Sequence, residues 1–233
     1  MSKIIKMNVL DTMCDFKSFF QITFPILVCI LVYLTNGIPD SKLIFLKLYS
    51  ADLAIFVMTF SIVVSNITVV EKVSHRLEFY LANNVKINKL LCAYSFSVFY
   101  ISFGVMILFN LLVWGYAIVF NDSAFLSAII NENYLLALGL CTLLGLTVSF
   151  LSNIFVFIIK DASLVRTCSF FISLIIIFGT GFSIQFLGGF NVAFEILLYR
   201  IFVTCLATTF LLFILCLVLR KKISNEKIIL SFN

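Results

Sequence analysis

The chain has 233 residues, of which 63% are hydrophobic and 12% are charged, and its formal net charge is +5. Soluble domains average roughly 45–50% apolar and about 25% charged residues. The mean hydropathy of +1.18 therefore excludes an ordinary soluble domain, because a core of this length cannot bury so much apolar surface. The composition predicts an all-α polytopic membrane protein.

Six apolar stretches are long enough to cross a bilayer, since a hydrocarbon core of about 30 Å needs about twenty helical residues. They lie at 19–36, 48–70, 93–120, 134–159, 165–187 and 197–219. A transmembrane barrel would instead show alternating segments of about ten residues. The third stretch is longer than a perpendicular helix needs, so we expect it to tilt or to begin outside the hydrocarbon.

Lysine and arginine in the loops predict the orientation, because these residues resist translocation. If both termini are cytoplasmic, thirteen of the sixteen basic residues fall on the cytoplasmic side. This orientation places the loop 71–90 and the tail 220–233 in the cytoplasm. Basic loops also attract anionic membrane lipid, and without a clustered basic and aromatic face we predict no binding of nucleic acid.

Residues 1–18 are expected to form an amphipathic helix in the cytoplasmic interface before the first span. Apolar side chains recur there at intervals of three or four residues, which places them on one helix face. That face consists of Ile5, Val9, Met13, Phe16 and Phe20. The helix either anchors the chain in the interface or also touches a partner.

The loop 71–90 is the only long polar interruption of the chain. Val73, Leu77 and Leu81 are spaced by four and predict a short amphipathic helix. Asn83-Asn84 is a turn signal, because asparagine tolerates the left-handed backbone that ends helices. A second short amphipathic turn leads into the third span. On periodicity alone, an ordinary solvated loop is the preferred interpretation.

The spacing of residues in this loop resembles that of the membrane subunits of ABC-2 type exporters. The matching pairs are Glu71-Lys72, Leu77-Glu78 and Leu81-Ala82. Asn84-Val85 stands where Pro-Val is usual, and His75-Arg76 replaces Gly-Thr. The resemblance extends to the layout of the whole chain, with a cytoplasmic amphipathic start, six spans and both ends inside.

The resemblance implies that the loop is a coupling helix, which docks in a groove of a separate ATPase subunit and transmits its motion to the membrane part. The residues expected at this interface are Glu71, Lys72, Arg76, Leu77, Glu78 and Leu81. A rigid amphipathic helix can transmit force, and its carboxylates can pair with basic groups of a groove.

The ATPase is expected in another chain. None of the nine glycines is followed by lysine, so no phosphate-binding loop is present, and ATP and Mg²⁺ belong to the partner subunit. The single histidine, His75, excludes a pair of histidine ligands, so we predict neither a metal site nor a cofactor in this chain. Without a base beside the membrane serines and threonines, we predict no catalytic residues and no enzyme activity.

Polar residues inside the spans are expected to face other helices or a transport pathway, because they are costly against lipid, and interhelical hydrogen bonding is the preferred role. They are Ser61, Ser65, Asn66, Thr68, Asn110, Asn153 and Gln185. A stripe of small residues on the fourth span, which lets helices approach closely, comprises Ala137, Cys141, Gly145 and Ser149. Asp52, Glu195 and Arg200 are assigned to the outer boundary, where their polar ends can reach the interface, and not to a transport site.

The segment 179–191 is rich in glycine at the outer end of the fifth span. Irregular backbone at membrane depth requires cover by protein or water. The resemblance implies a partly re-entrant hairpin that forms an outer gate, and a tight turn between spans is an equal alternative. The gate would comprise Gly179, Gly181, Gln185, Gly188 and Gly189.

Members of the family pair two membrane subunits, so the resemblance implies a second copy of this chain or a related subunit, in a bacterial plasma membrane. Twenty-eight phenylalanines and the absence of a predicted buried charge suit an amphiphilic cargo, such as an antimicrobial or cytolytic peptide exported for secretion or self-immunity. Lipid, lipid-linked glycan and drug remain open as cargoes. An ATP-independent channel or secondary transporter is the alternative class, and a scaffold or immunity protein that sequesters a toxin is the third.

Overall fold

The computed structural model describes residues 2–35, 41–120, 123–159, 161–186, 194–221 and 223. Within these ranges the chain forms helices joined by short turns, without a strand, and the predicted all-helical fold is confirmed. The helices are α1 (Ser2–Cys14), α2 (Phe16–Thr35), α3 (Ser41–Val64), α4 (Val70–Val73), α5 (Arg76–Ala82), α6 (Ile87–Val119), α7 (Ser123–Ile130), α8 (Glu132–Ile158), α9 (Ala162–Phe186) and α10 (Phe194–Arg220). A π-helix, Ser65–Val69, joins α3 to α4.

Four helical segments of the described chain are long and apolar enough to cross a membrane. They are Leu48–Val73, Ile87–Val119, Glu132–Ile158 and Leu198–Arg220. A fifth is formed if the bent pair Lys3–Cys14 and Phe16–Ile30 is counted as one span. Helix α9 has 25 residues, but its described apolar part, Ser163–Ile176, is shorter than a span. These helices make the chain a membrane protein, whereas six spans and cytoplasmic termini remain predictions.

A sharp bend separates α1 from α2. The two helices meet at 82°, which is close to a right angle. The carboxylate of Asp15 accepts hydrogen bonds from the backbone N–H and the hydroxyl of Ser18, at 3.1 and 2.6 Å, and begins the new helix. The predicted continuous apolar face is therefore wrong beyond Met13, because Phe16 and Phe20 lie past the bend and are exposed.

Helix α3 occupies the centre of the bundle and packs against α2, α6, α8 and α9. Helix α8 approaches it most closely at Gly145, where an added Cβ atom would lie 1.8 Å from a ring carbon of Phe56. Gly145 belongs to the stripe of small residues, all four of which are buried: Ala137, Cys141, Gly145 and Ser149. Any larger residue here would require the Phe56 ring to shift.

Polar side chains of the spans join the helices to each other. The Thr68 hydroxyl donates to Asn153 Oδ1 at 2.6 Å, and the Asn153 amide donates to the carbonyl oxygen of Ser149 at 2.8 Å. The Asn66 amide donates to Gln21 Oε1 at 3.2 Å. The expectation that these residues face other helices is confirmed for Asn66, Thr68 and Asn153. Hydrogen bonding satisfies groups that lipid would leave unpaired.

Candidate functional site

The loop 71–90 contains one short helix between two left-handed residues. The membrane helix continues to Val73, and the chain then turns at Ser74 and His75, where His75 has φ 58°. Helix α5 follows and ends at the predicted Asn-Asn turn, in which Asn84 also has φ 58°. The turn is thus confirmed, whereas Val73 and Leu77 do not share one helix as the spacing predicted. We call the end of the bundle that carries this loop the loop end.

Glu71 attaches α5 to the bundle. Its carboxylate is 6% exposed, and it accepts hydrogen bonds from Arg76 Nη1 at 3.0 Å and from the Tyr94 hydroxyl at 3.3 Å. The hydrogen bond and the negative charge of Glu71 raise the pKa of the Arg76 guanidinium above its ordinary value. The first residue of α5 is therefore connected to α6 through one buried carboxylate.

Lys72 makes the corresponding connection to α8. Its ammonium group donates to the carbonyl oxygen of Val156 at 2.8 Å and also to that of Ile159. These carbonyls lie in the last turn of α8, where free acceptors and the helix dipole both favour a cation. Glu71 and Lys72, adjacent in sequence, thus tie the base of the loop to two different membrane helices.

The predicted interface residues divide into internal and surface groups. Glu71, Lys72 and Leu77 are buried within the chain, and Leu81 packs partly against the core. Arg76 and Glu78 reach the surface, where Glu78 contacts His75 Nδ1 at 3.0 Å.

Sequence analysis did not select Phe79, whose side chain is 66% exposed on α5. Its position two residues after the buried Leu77 places it on the opposite face of the helix, which is the signal that could have identified it. The exposed face of α5 therefore combines Arg76, Glu78 and Phe79.

A cleft opens beside the bend between α1 and α2, and we call it the bend cleft. It has two adjoining parts, of about 500 and 420 Å³, which share four lining residues of α2, the π-helix and α9. These are Gln21, Ser65, Asn66 and Arg166. The π-helix brings Ser65 and Asn66 to the wall, and such single-turn π segments often occur at functional sites.

The bend cleft is amphipathic along its length. Its deeper part includes the rings of Phe20 and Phe24, and the other part is lined by Asp11, Asp15 and Lys17. Hydrogen bonds from Ser18 hold the pKa of the Asp15 carboxyl below its ordinary value, so Asp15 is ionised. Apolar and charged groups therefore line neighbouring parts of one continuous space.

The side chains of Lys17 and Arg166 form no hydrogen bond or ion pair in the part of the chain that the structure describes. The Lys17 side chain acts on Asp15 only through the longer-range attraction of opposite charges. An amphiphile with an acidic or zwitterionic head would find partners here, and its apolar part would lie against phenylalanine rings.

The expectation that the Asp52 side chain reaches the membrane interface is wrong. Asp52 is 1% exposed and lies between α3, α6 and α8, within hydrogen-bond distance of Asn110 and Tyr134. The side chain does not reach water because these two residues supply its polar contacts inside the bundle. A single carboxylate within an apolar run was the signal in the sequence, since a polar group there is a functional candidate by default.

The predicted outer gate falls largely beyond what the structure describes. Helix α9 extends through the backbone of Gly179, Gly181 and Gln185. Gly188 and Gly189 lie outside the described residues. The gate remains a prediction.

No group of three or more metal-binding side chains comes together among the described residues. The described sites instead contain a helix with an exposed face, an amphipathic cleft and a buried carboxylate. Together the fold and these sites define an all-helical membrane protein. Comparison with protein-family models, with curated proteins and with solved structures finds no match to this chain.

Proposed function

We propose that the chain is the membrane subunit of an ATP-driven exporter of the ABC-2 type, in a bacterial plasma membrane with both termini in the cytoplasm. The residues of the loop 71–90 and the layout of the chain resemble that family. In this proposal the complete α9 is the fifth of six spans, and ATP and Mg²⁺ are bound by a separate ATPase subunit. A second copy of this chain, or a related subunit, completes the pathway.

The attachment of α5 is the observation that carries the proposal. The helix presents Arg76, Glu78 and Phe79 outward. The base of the loop, just before this helix, is fixed to α6 by Glu71 and to α8 by Lys72. A force applied to the outer face would reach two membrane helices through hydrogen-bonded contacts. A flexible solvated loop would not transmit such a force, which is why this geometry favours the coupling role over the simpler interpretation.

The bend cleft supports an amphiphilic cargo. Phe20 and Phe24 can hold an apolar segment, and Lys17 and Arg166 can hold a polar head. An antimicrobial or cytolytic peptide fits this description, and so do a lipid, a lipid-linked glycan or an amphiphilic drug. The cleft opens at the loop end, where a cargo from the cytoplasm would arrive.

The test is copurification with the ATPase encoded by a neighbouring reading frame that has phosphate-loop and signature motifs. Phe79→Asp places a charge on the outer face of α5 and should reduce the recovered ATPase at least tenfold. Phe120→Asp is the matched control, because Phe120 is also 66% exposed but lies at the opposite end of α6. Equal recovery with both variants, or the lack of such a reading frame, contradicts the proposal.

A secondary transporter is the second candidate, and the buried Asp52 favours it. A carboxylate inside a bundle is typical of proton- or cation-linked transport. The two candidates differ in their energy source. Uptake of a fluorescent amphiphile by proteoliposomes that contain only this chain, driven by a pH gradient, would favour the second candidate, whereas a strict requirement for the ATPase and ATP would favour the first.

A further inference from the structure

We propose that Asp52, Asn110 and Tyr134 form a proton-binding site inside the helix bundle, in which Asp52 is the neutral carboxylic acid at neutral pH. The inference does not depend on whether an ATPase drives the protein. It rests on the number of hydrogen atoms that the contacts among these three side chains require.

The three side chains form a closed ring of contacts. Asn110 Nδ2 donates to Asp52 Oδ1 at 2.7 Å, and a second hydrogen of the same amide is donated to the carbonyl oxygen of Met106 at 3.0 Å. The Tyr134 hydroxyl oxygen lies 2.5 Å from Asn110 Oδ1 and also within hydrogen-bond distance of Asp52 Oδ2. Each contact links a different pair among α3, α6 and α8.

An ionised Asp52 leaves this ring one hydrogen short. The amide oxygen and both oxygens of a carboxylate only accept, and a tyrosine hydroxyl has one hydrogen to donate. That hydrogen cannot serve two such short contacts, so a second one must lie between Tyr134 and Asp52. If Asp52 is protonated, its O–H donates to Tyr134, Tyr134 donates to Asn110, and Asn110 donates to Asp52.

Exchanging the oxygen and nitrogen positions of the Asn110 amide does not remove the deficit. The amide nitrogen would then donate to Tyr134, and Tyr134 would donate to Asp52. The amide oxygen would face the remaining oxygen of Asp52 at 2.7 Å, which again requires a hydrogen on the carboxyl group. This orientation would also lose the hydrogen bond to Met106. Both orientations therefore require the acid form.

The described side chains place no compensating positive charge beside Asp52. Among them, Cys29 of α2 and Cys141 of α8 are titratable groups on which the charge of Asp52 acts. Beyond them, the Tyr49 hydroxyl contacts Cys205 Sγ at 2.9 Å. No lysine, arginine or histidine of the described chain pairs with Asp52. A buried carboxylate without a cation is far more costly than the neutral acid.

Release of the proton would open the ring. An ionised Asp52 Oδ2 would lose its hydrogen bond to Tyr134 or take the one that Tyr134 gives to Asn110, which weakens the junction of α3, α6 and α8. Asn110 also lines an apolar groove of about 670 Å³ between α6, α7 and α8. One member of the ring therefore borders a groove on the surface of the bundle.

Infrared spectroscopy of the full-length chain tests the proposal. The protein is labelled with ¹³C at the aspartate carboxyl carbon and held in a detergent without ester groups. At neutral pH we expect the C=O stretch of a protonated aspartic acid, with the isotope shift that distinguishes it from glutamate. Asp52→Asn should remove the band completely, because the variant lacks the carboxylic acid. The variant should still fold, because the amide has the same shape and its N–H replaces the acid hydrogen as a donor.

Asp161→Asn is the control variant. Asp161 is exposed, and hydrogen bonds from Ser163 lower the pKa of its carboxyl, so its removal should leave the band unchanged. Tyr134→Phe provides a second readout should Asp52→Asn fail to fold: the band should remain but shift to higher frequency, since the acid loses its acceptor. Absence of the band from the wild-type protein, or its persistence in Asp52→Asn, would overturn the proposal.

Discussion

Two buried carboxylates at opposite ends of the bundle are stabilised in different ways. Glu71, at the loop end, is paired with the guanidinium of Arg76, and that side chain is 60% exposed. Asp52, at the other end, is in contact with the neutral Asn110 and Tyr134 among the described side chains. A buried charge is tolerated when a cation and hydrogen bonds accompany it, whereas an isolated carboxyl group gives up its charge. Arg76 thus links the Glu71 carboxylate to the surface at the loop end, whereas the contacts of Asp52 lie inside the bundle.

The span Leu48–Val73 and helix α8 are in contact at both ends of the bundle. Asp52 and Lys72 lie on the span Leu48–Val73, and their partners Tyr134 and Val156 lie near the two ends of α8. Between them, Phe56 packs against Gly145 and Thr68 is bonded to Asn153. The span Leu48–Val73 and α8 are therefore in contact at both ends and between them.

The largest effect on stability is expected from Asp52→Leu. Leucine leaves a buried polar partner unsatisfied and adds a branched side chain to a packed site, which costs about 2–4 kcal/mol. Asp52→Asn should change the free energy of unfolding by less than about 1 kcal/mol if the native group is a neutral acid. Equilibrium unfolding in mixed micelles measures both. If Asp52→Asn destabilises as much as Asp52→Leu, the two ends of the bundle do not differ as described.

An intermediate effect is expected from Glu71→Ala at the loop end. Removal of this carboxylate leaves the buried Tyr94 hydroxyl without its acceptor, at a cost of about 1–3 kcal/mol. Glu78→Gln is the surface comparison, because its contact with His75 is exposed and worth no more than about 0.5 kcal/mol. The same unfolding assay compares them. A larger loss of stability in Glu78→Gln than in Glu71→Ala would show that the surface pair, and not Glu71, holds α5.

The smallest of the three effects is expected from Gly145→Ala, midway between the two ends. The new methyl group meets Phe56, and overpacking of this kind typically costs about 1–3 kcal/mol, at the lower end when a ring can move. Gly139→Ala on the same helix meets nothing within 4 Å and should stabilise α8 by up to about 1 kcal/mol. Under identical conditions, the change in the free energy of unfolding should have opposite signs for the two variants, and equal signs would contradict the close contact.

Hydropathy and local signals predicted much of the fold but little of the site. Apolar length located the helices, and the asparagine pair located the turn at Asn84. The left-handed His75 gave no comparable signal, because histidine adopts this backbone only occasionally. The partners of Asp52 lie 58 and 82 residues away in sequence, so no local pattern could reveal that it is buried. Likewise, the sequence around Glu71 and Lys72 is that of a surface loop, because the donor to Glu71, Tyr94, and the acceptor for Lys72, Val156, lie on other helices.

Hydrogen exchange of the chain with and without its ATPase tests the central claim most directly. We predict that amides of α5, Arg76–Ala82, become protected when the ATPase binds, while amides around Asp52 keep the same exchange rate as long as no ATP is present. Protection confined to another surface, or an α5 whose exchange does not change in the complex, would contradict the claim that this helix is where the protein meets its partner.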